Sequence, residues 1–132
     1  MATLTPTLTL VSDLTSDELK FSTTTDTTIA NTSGLQRQTI TSTAIGTASG
    51  QVTVDTADTY ASPNFIYVKN PHTYHASNNV IYGYFSGDTD GIILQIHGGQ
   101  FAYLPSSGDF TLKLYTSTSG TVAEFAVFGT NA

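Results

Sequence analysis

Apolar and polar positions alternate along much of this chain, and the alternation sharpens towards its second half. Leu8 and Leu10 alternate with threonines, a pattern that predicts a strand with one wet face. "LKFSTTTDTTI" continues it, with Leu19, Phe21, Thr23 and Thr25 on one side. Between them, Thr15 and Glu18 have capping-box spacing. Leu14, Leu19 and Phe21 make a poor helical stripe, so a turn between strands is the better reading. "NTSG" closes this region as a turn. "RQTITSTAI" and "QVTV" read as further strands, broken by "GTASG" and ended by "DTADTYASPN".

From Phe65 onward six runs stand out: "FIYVKN", "VIYGYF", "IILQIH", "FAYLP", "FTLKLYT" and "VAEFAVFG". Each is bounded by Gly, Pro, Asn, Asp or Ser, the spacing expected of an all-β sandwich or barrel. In "FTLKLYT", Phe110, Leu112 and Leu114 share one parity, and Thr111, Lys113 and Tyr115 the other. In "VAEFAVF", Glu124 falls between Val122 and Ala126 while Phe125 and Val127 take the opposite parity, so both faces of this strand are expected to be partly covered. The composition shifts near Tyr60 from Thr-rich to aromatic, without a fixed-period repeat. We read residues 1–132 as one antiparallel β-sandwich domain, with 1–15 as an extended arm and 60–132 as the best-defined core strands.

Composition narrows the partners. A domain of 132 residues is long enough to bury a core unaided. There is no cysteine, hence no disulfide framework and no zinc-thiolate site. The net charge is −6, and the four cations, Lys20, Arg37, Lys69 and Lys113, are scattered. No basic patch is available for phosphates, which argues against nucleic acid and against an anionic membrane surface. The beginning of the chain, "MATLTPTLTLVSDLT", lacks the basic and continuous apolar regions of a signal peptide.

Candidate chemistry is sparse. His72-x-x-His75 resembles a metal-ligand spacing, but Pro71 and the flanking strands exclude the helix that would align both rings. A loop joining two antiparallel strands explains "NPHTYHASNN" better. "GDTDG", Gly87 to Gly91, looks like a truncated calcium loop, yet Ile92, Ile93 and Leu94 follow where further oxygen ligands would be required. "HGGQ", His97 to Gln100, precedes no helix that would hold a phosphate and reads as a turn. No G-x-S-x-G elbow occurs, and Glu18 and Glu124 are the only glutamates. No nucleophile, base and orienting group can be named together, so the expectation is a protein that is not an enzyme and uses no metal or cofactor. Tyr67, Tyr74, Tyr82, Tyr84 and Tyr103 cluster in the sequence. They suit either packing and subunit contact or stacking on sugars, and the lack of tryptophan favours the former.

The layout "FIYVKNP…NNVIYGYFSG…IILQIHGGQFAYLPSSGDFTLKLYTSTSGTVAEFAVFG" resembles small virion proteins of tailed bacteriophages, especially marine and cyanobacterial ones. "MATLTPTLTL" is similar to the extended segment that precedes their body. The resemblance implies a jelly-roll-like sandwich on the capsid surface, assembled in the host cytoplasm. It implies a decoration or cement protein, a homotrimer contacting the major capsid protein or other virion proteins. A tail, fibre or head–tail component and a glycan-binding module are the alternatives. On this reading Thr3, Leu4, Thr5, Leu8 and Leu10 would add as a strand to a neighbour's sheet edge, and the five tyrosines would form contact surface.

Overall fold

The structure is a computed structural model describing residues 2–14, 16, 18–46, 49–55, 61–86, 91–107 and 111–131. Thr15 of the capping-box spacing, Tyr60, Phe110 and most of the "GDTDG" segment lie outside these residues. The described residues form strands and no helix: β1 (Ala2–Leu4), β2 (Thr7–Ser12), β3 (Leu19–Thr24), β4 (Thr27–Ile29), β5 (Asn31–Thr32), β6 (Gln36–Ile40), β7 (Val52–Asp55), β8 (Ala61–Lys69), β9 (Ile81–Phe85), β10 (Leu94–Ile96), β11 (Phe101–Ser106), β12 (Leu112–Thr116) and β13 (Thr121–Asn131). A four-stranded antiparallel sheet, in the order β10-β9-β12-β7, packs on a five-stranded one. The latter runs β11-β8-β13, with β5 and β6 end to end along the far edge of β13. The molecule is therefore the all-β sandwich that the alternation predicts.

Period-two alternation decides what each sheet buries. Ile66 and Val68 of β8, Ala123, Phe125 and Val127 of β13, and Leu112 and Leu114 of β12 point between the sheets, where they meet Ile40, Val52, Val54, Ile81 and Ile96. Tyr115, of the opposite parity on β12, is also buried, because Tyr82 stacks on it at 5.1 Å and Tyr84 meets it edge-on at 6.1 Å. Tyr84 is itself covered: its hydroxyl donates to Gln51 Oε1 and accepts from the Gly46 N–H. Thus a second apolar layer lies on the outer face of the four-stranded sheet. The run "IILQIH" is strand only from Leu94. Ile92 and Ile93 are exposed.

Two connections depart from simple hairpins. The histidine-bearing segment joins β8 to β9, and these strands lie in different sheets, so it is a corner between layers. The turn His97–Gln100 likewise carries the chain from β10 in one sheet to β11 in the other. There the Gln100 N–H donates to His97 O, and Gly99 takes φ +82°, which suits glycine at the third position of a turn. At Gly98 any Cβ would fall 2.2 Å from Thr73 O, so the two corners touch backbone to backbone.

The segment expected as an arm is extended, and its main-chain bonds run to residues 19–29 of the same chain. Leu4 faces Thr27 and Thr7 faces Thr24, so β1–β4 and β2–β3 keep one register across a break. Pro6 causes the break, since it has no N–H for the ladder. Across it, the Thr25 N–H reaches Pro6 O at 3.4 Å and the Thr5 hydroxyl donates to Asp26 Oδ1 at 2.8 Å. The pairs β1–β4 and β2–β3 are in effect one kinked hairpin. Its base is tied to the body by the Ala30 N–H donating to Gly129 O and by the buried Ile29.

Candidate docking surface

The kinked hairpin sorts its side chains by parity. Leu4, Pro6, Leu8 and Leu10 share one face with Thr23 and Thr25 opposite. On β2–β3 the same face continues outward through Phe21 and Leu19, which pair with Leu10 and Ser12. Thr3 and Thr5 have the other parity. The hydroxyls of the other face of β2–β3 bond across the ladder, Thr24 to Thr7 and Thr9 to Ser22. The Leu-Thr alternation thus yields an apolar face and a hydroxyl face.

The apolar face looks onto the outer face of the five-stranded sheet. That outer face is ordered in three cross-strand rows: Phe101, Lys69, Glu124 and Arg37; then Tyr103, Tyr67 and Ala126; then Pro105, Phe65, Phe128 and Thr32. Phe65 and Tyr103 stack on the diagonal, with parallel rings 6.1 Å apart. Arg37 and Glu124 form an ion pair at the rim. Between hairpin and sheet lies a groove of about 960 Å³, with Tyr67, Ala126 and Phe128 on one wall and Leu4, Leu8 and Leu10 on the other. Among the described residues none that lines it is charged.

The groove is open. Leu8 retains 40% of its exposure, Leu10 45%, Phe101 57% and Leu35 69%. A soluble monomer seldom leaves so many large apolar side chains together, and a contiguous patch beyond a few hundred Å² marks an interaction site. Among the described residues β11 is the edge strand of this sheet, and it borders the groove. The Asn70 N–H donates to Gln100 O, which puts the ladder bonds of β11 on its even residues and turns the main chain of Phe101, Tyr103 and Pro105 to the open side. Pro105 offers no donor there, a device that blunts an edge strand against indiscriminate pairing.

The tyrosines that cluster in sequence are divided in space. Tyr67 and Tyr103 line the groove, Tyr82 and Tyr84 sit on the opposite outer face, and Tyr74 is exposed in the corner loop, packed on His97. Burial raises the hydroxyl pKa of Tyr67, helped by the Glu124 carboxylate, and burial likewise raises that of Tyr103. Burial acts again on Tyr115, with smaller contributions from Tyr82 and Tyr84. A raised folded-state value means that folding favours the neutral phenol. The associated stability is fully present below the ordinary value of 10.0 and is lost as pH rises through the raised values. The thermal midpoint should accordingly fall above pH 10, and Tyr67→Phe should lessen the fall. An identical decline in the variant would contradict the assignment.

The three histidines meet at the two corners, but their lone pairs are already engaged. The Val122 N–H donates to His72 Nε2 at 2.9 Å, and the Ser77 and Asn78 N–H groups donate to His75 Nδ1 at 3.1 and 2.9 Å. His97 Nδ1 lies 3.0 Å from His75 O and so carries its proton there, leaving Nε2 to accept from the Gln95 amide at 3.1 Å. Each ring thereby acts as a backbone or side-chain acceptor that shapes a loop. Among the described residues no group of three His, Asp or Glu gathers in a way that could hold a metal ion. The signal in the sequence for the groove was the leucine parity of residues 4–10. The contribution of Leu35, Phe101, Ala126 and Phe128 was not singled out, because it depends on how the hairpin folds back over the sheet.

Comparison with protein-family models, curated proteins and solved structures finds no match to this chain.

Proposed function

We propose that the protein is a non-catalytic structural subunit of a virion, a decoration or cement protein on the shell of a tailed bacteriophage. In this reading it is a homotrimer bound to the major capsid protein, where it stabilises the outer shell. The observation that carries the assembly role is the open apolar surface made by the hairpin and the outer sheet face. Such a surface suits another polypeptide, because a small-molecule site encloses most of its ligand and orients it with convergent polar groups. The virion setting rests on the resemblance of the layout from Phe65 to Gly129, and of the opening "MATLTPTLTL", to small phage virion proteins. A subunit that bridges several shell proteins gains avidity through effective concentration, which suits a shell under internal pressure. A glycan-binding role is less well supported, since the five tyrosines occupy three separate places.

Gold-labelled antibody against the protein, applied to purified particles, tests the setting. Label over the shell is the expected result. Label confined to the tail would replace decoration by the tail or fibre alternative, and particles free of label would remove the virion reading.

A further inference from the structure

We propose that the groove is an interface between copies of this chain, the outer stripe of one copy's hairpin seating in the groove of the next. The proposal rests on reading the apolar face as a polypeptide-docking surface. It does not depend on the virion setting, and it places any shell contact elsewhere on the molecule.

The chain supplies both halves of such a contact. Leu19 and Phe21 continue the apolar face of the hairpin past the groove of their own chain, do not line that groove, and remain about half exposed. The groove, walled by Leu4, Leu8, Phe101 and Tyr103, offers an unfilled apolar space of about 960 Å³. A two-stranded hairpin is marginal in water and needs a packed face to persist. β2 and β3 are exposed at almost every position, so their own body does not supply that packing.

Area supports a second copy as the occupant. Leu8, Leu10, Leu19, Phe21, Leu35, Phe101 and Tyr103 expose between 37% and 69% of their surface. At roughly 200 Å² per large side chain, the stripe of one copy and the groove of the next together supply on the order of 700 Å² of apolar surface. Since apolar atoms make up a little over half of an interface, the whole contact is about 1,200 Å² over both partners, the lower end of the range for stable complexes. Charge is compatible as well. Each copy carries −6, yet among the described residues none that lines the groove is charged, so association would bury no carboxylate of these residues there. The acids Asp13 and Glu18 directly follow β2 and precede β3, outside the groove lining. Because stripe and groove are different surfaces, the contact is head-to-tail and satisfies every copy when it closes into a ring.

Light scattering of the purified full chain, from about 1 to 100 µM, tests this against the 14.0 kDa mass of one chain. A defined multiple of that mass is expected. Two double variants separate the halves of the contact: Leu19→Asp with Phe21→Asp on the stripe, and Phe101→Asp with Tyr103→Asp in the groove. Each alone should be monomeric. Mixed, they should form a one-to-one heterodimer, since one intact stripe still meets one intact groove, and that recovery also shows that both variants fold. A wild-type monomer throughout the range would overturn the proposal. So would an oligomer that both variants leave intact, or a lost association that mixing does not restore.

Discussion

Phe125→Ala should remove about 3–5 kcal/mol of stability, a large part of the 5–15 kcal/mol typical of a folded domain. Phe125 lies at the middle of β13, retains 2% of its exposure, and is flanked by Val68 of β8 and Gln36 of β6. It belongs to the core in which residues of both sheets meet, so truncation leaves a cavity that neither sheet can close without shifting its ladder. Urea denaturation should show a lower midpoint with an unchanged slope. Phe101→Ala serves as the control. Its ring is more than half exposed, so in the isolated chain the change should stay within about 1 kcal/mol. Equal losses for the two variants would contradict the placement of the core.

Asn70→Ala is the second large effect, and it acts where the layers join. Asn70 is fully buried. Its side-chain amide donates to Asn79 O at 2.6 Å and to Ile96 O at 2.9 Å, and its Oδ1 accepts from the His72 N–H at 3.1 Å. Its main chain accepts from the Gly99 N–H and donates to Gln100 O. One residue therefore ties the start and end of the histidine loop to the end of β10 and to the next corner. Alanine would strand two carbonyls and one N–H, each worth about 1–3 kcal/mol when buried without a partner. A loss of about 3 kcal/mol or more is expected, and amide exchange at residues 71–79 should quicken beyond what the global loss explains. A loss under about 1 kcal/mol would show that water or a rearranged loop replaces these bonds.

These two residues show where the sequence was legible. The runs around Phe65–Lys69, Ile81–Phe85, Phe101–Leu104 and Val122–Phe128 all fall within strands, because alternating or fully apolar stretches between turn-formers have few other ways to bury themselves. The parity of Phe125 and Val127 against Glu124 also survives intact. Sheet membership was not legible. Whether a loop such as 70–80 closes a hairpin or crosses between layers depends on Asn70 reaching Asn79 and Ile96, and on Gly98 admitting the Thr73 backbone, both of which are tertiary facts. The same applies to the first half. Its threonine-rich alternation gives β2 and β3, but the kink at Pro6 and the folding back over Tyr67 and Phe128 appear only in three dimensions. For the candidate surface, Leu4, Leu8, Leu10, Tyr67 and Tyr103 of the sequence reading meet at the groove, whereas Thr3, Thr5, Tyr74, Tyr82 and Tyr84 lie outside its lining.

The claim on which the account turns is that the open apolar face of the hairpin and outer sheet is where other polypeptide chains dock. Amide hydrogen exchange, comparing the protein in its native assembly with the protein diluted to single chains, measures this directly. The account predicts that exchange slows on assembly at residues 7–12, 19–24 and 101–106, while the already protected core strands Ile81–Phe85 and Leu112–Thr116 change little. Protection that appears only at other surfaces, with these three segments exchanging equally fast in both states, would contradict it.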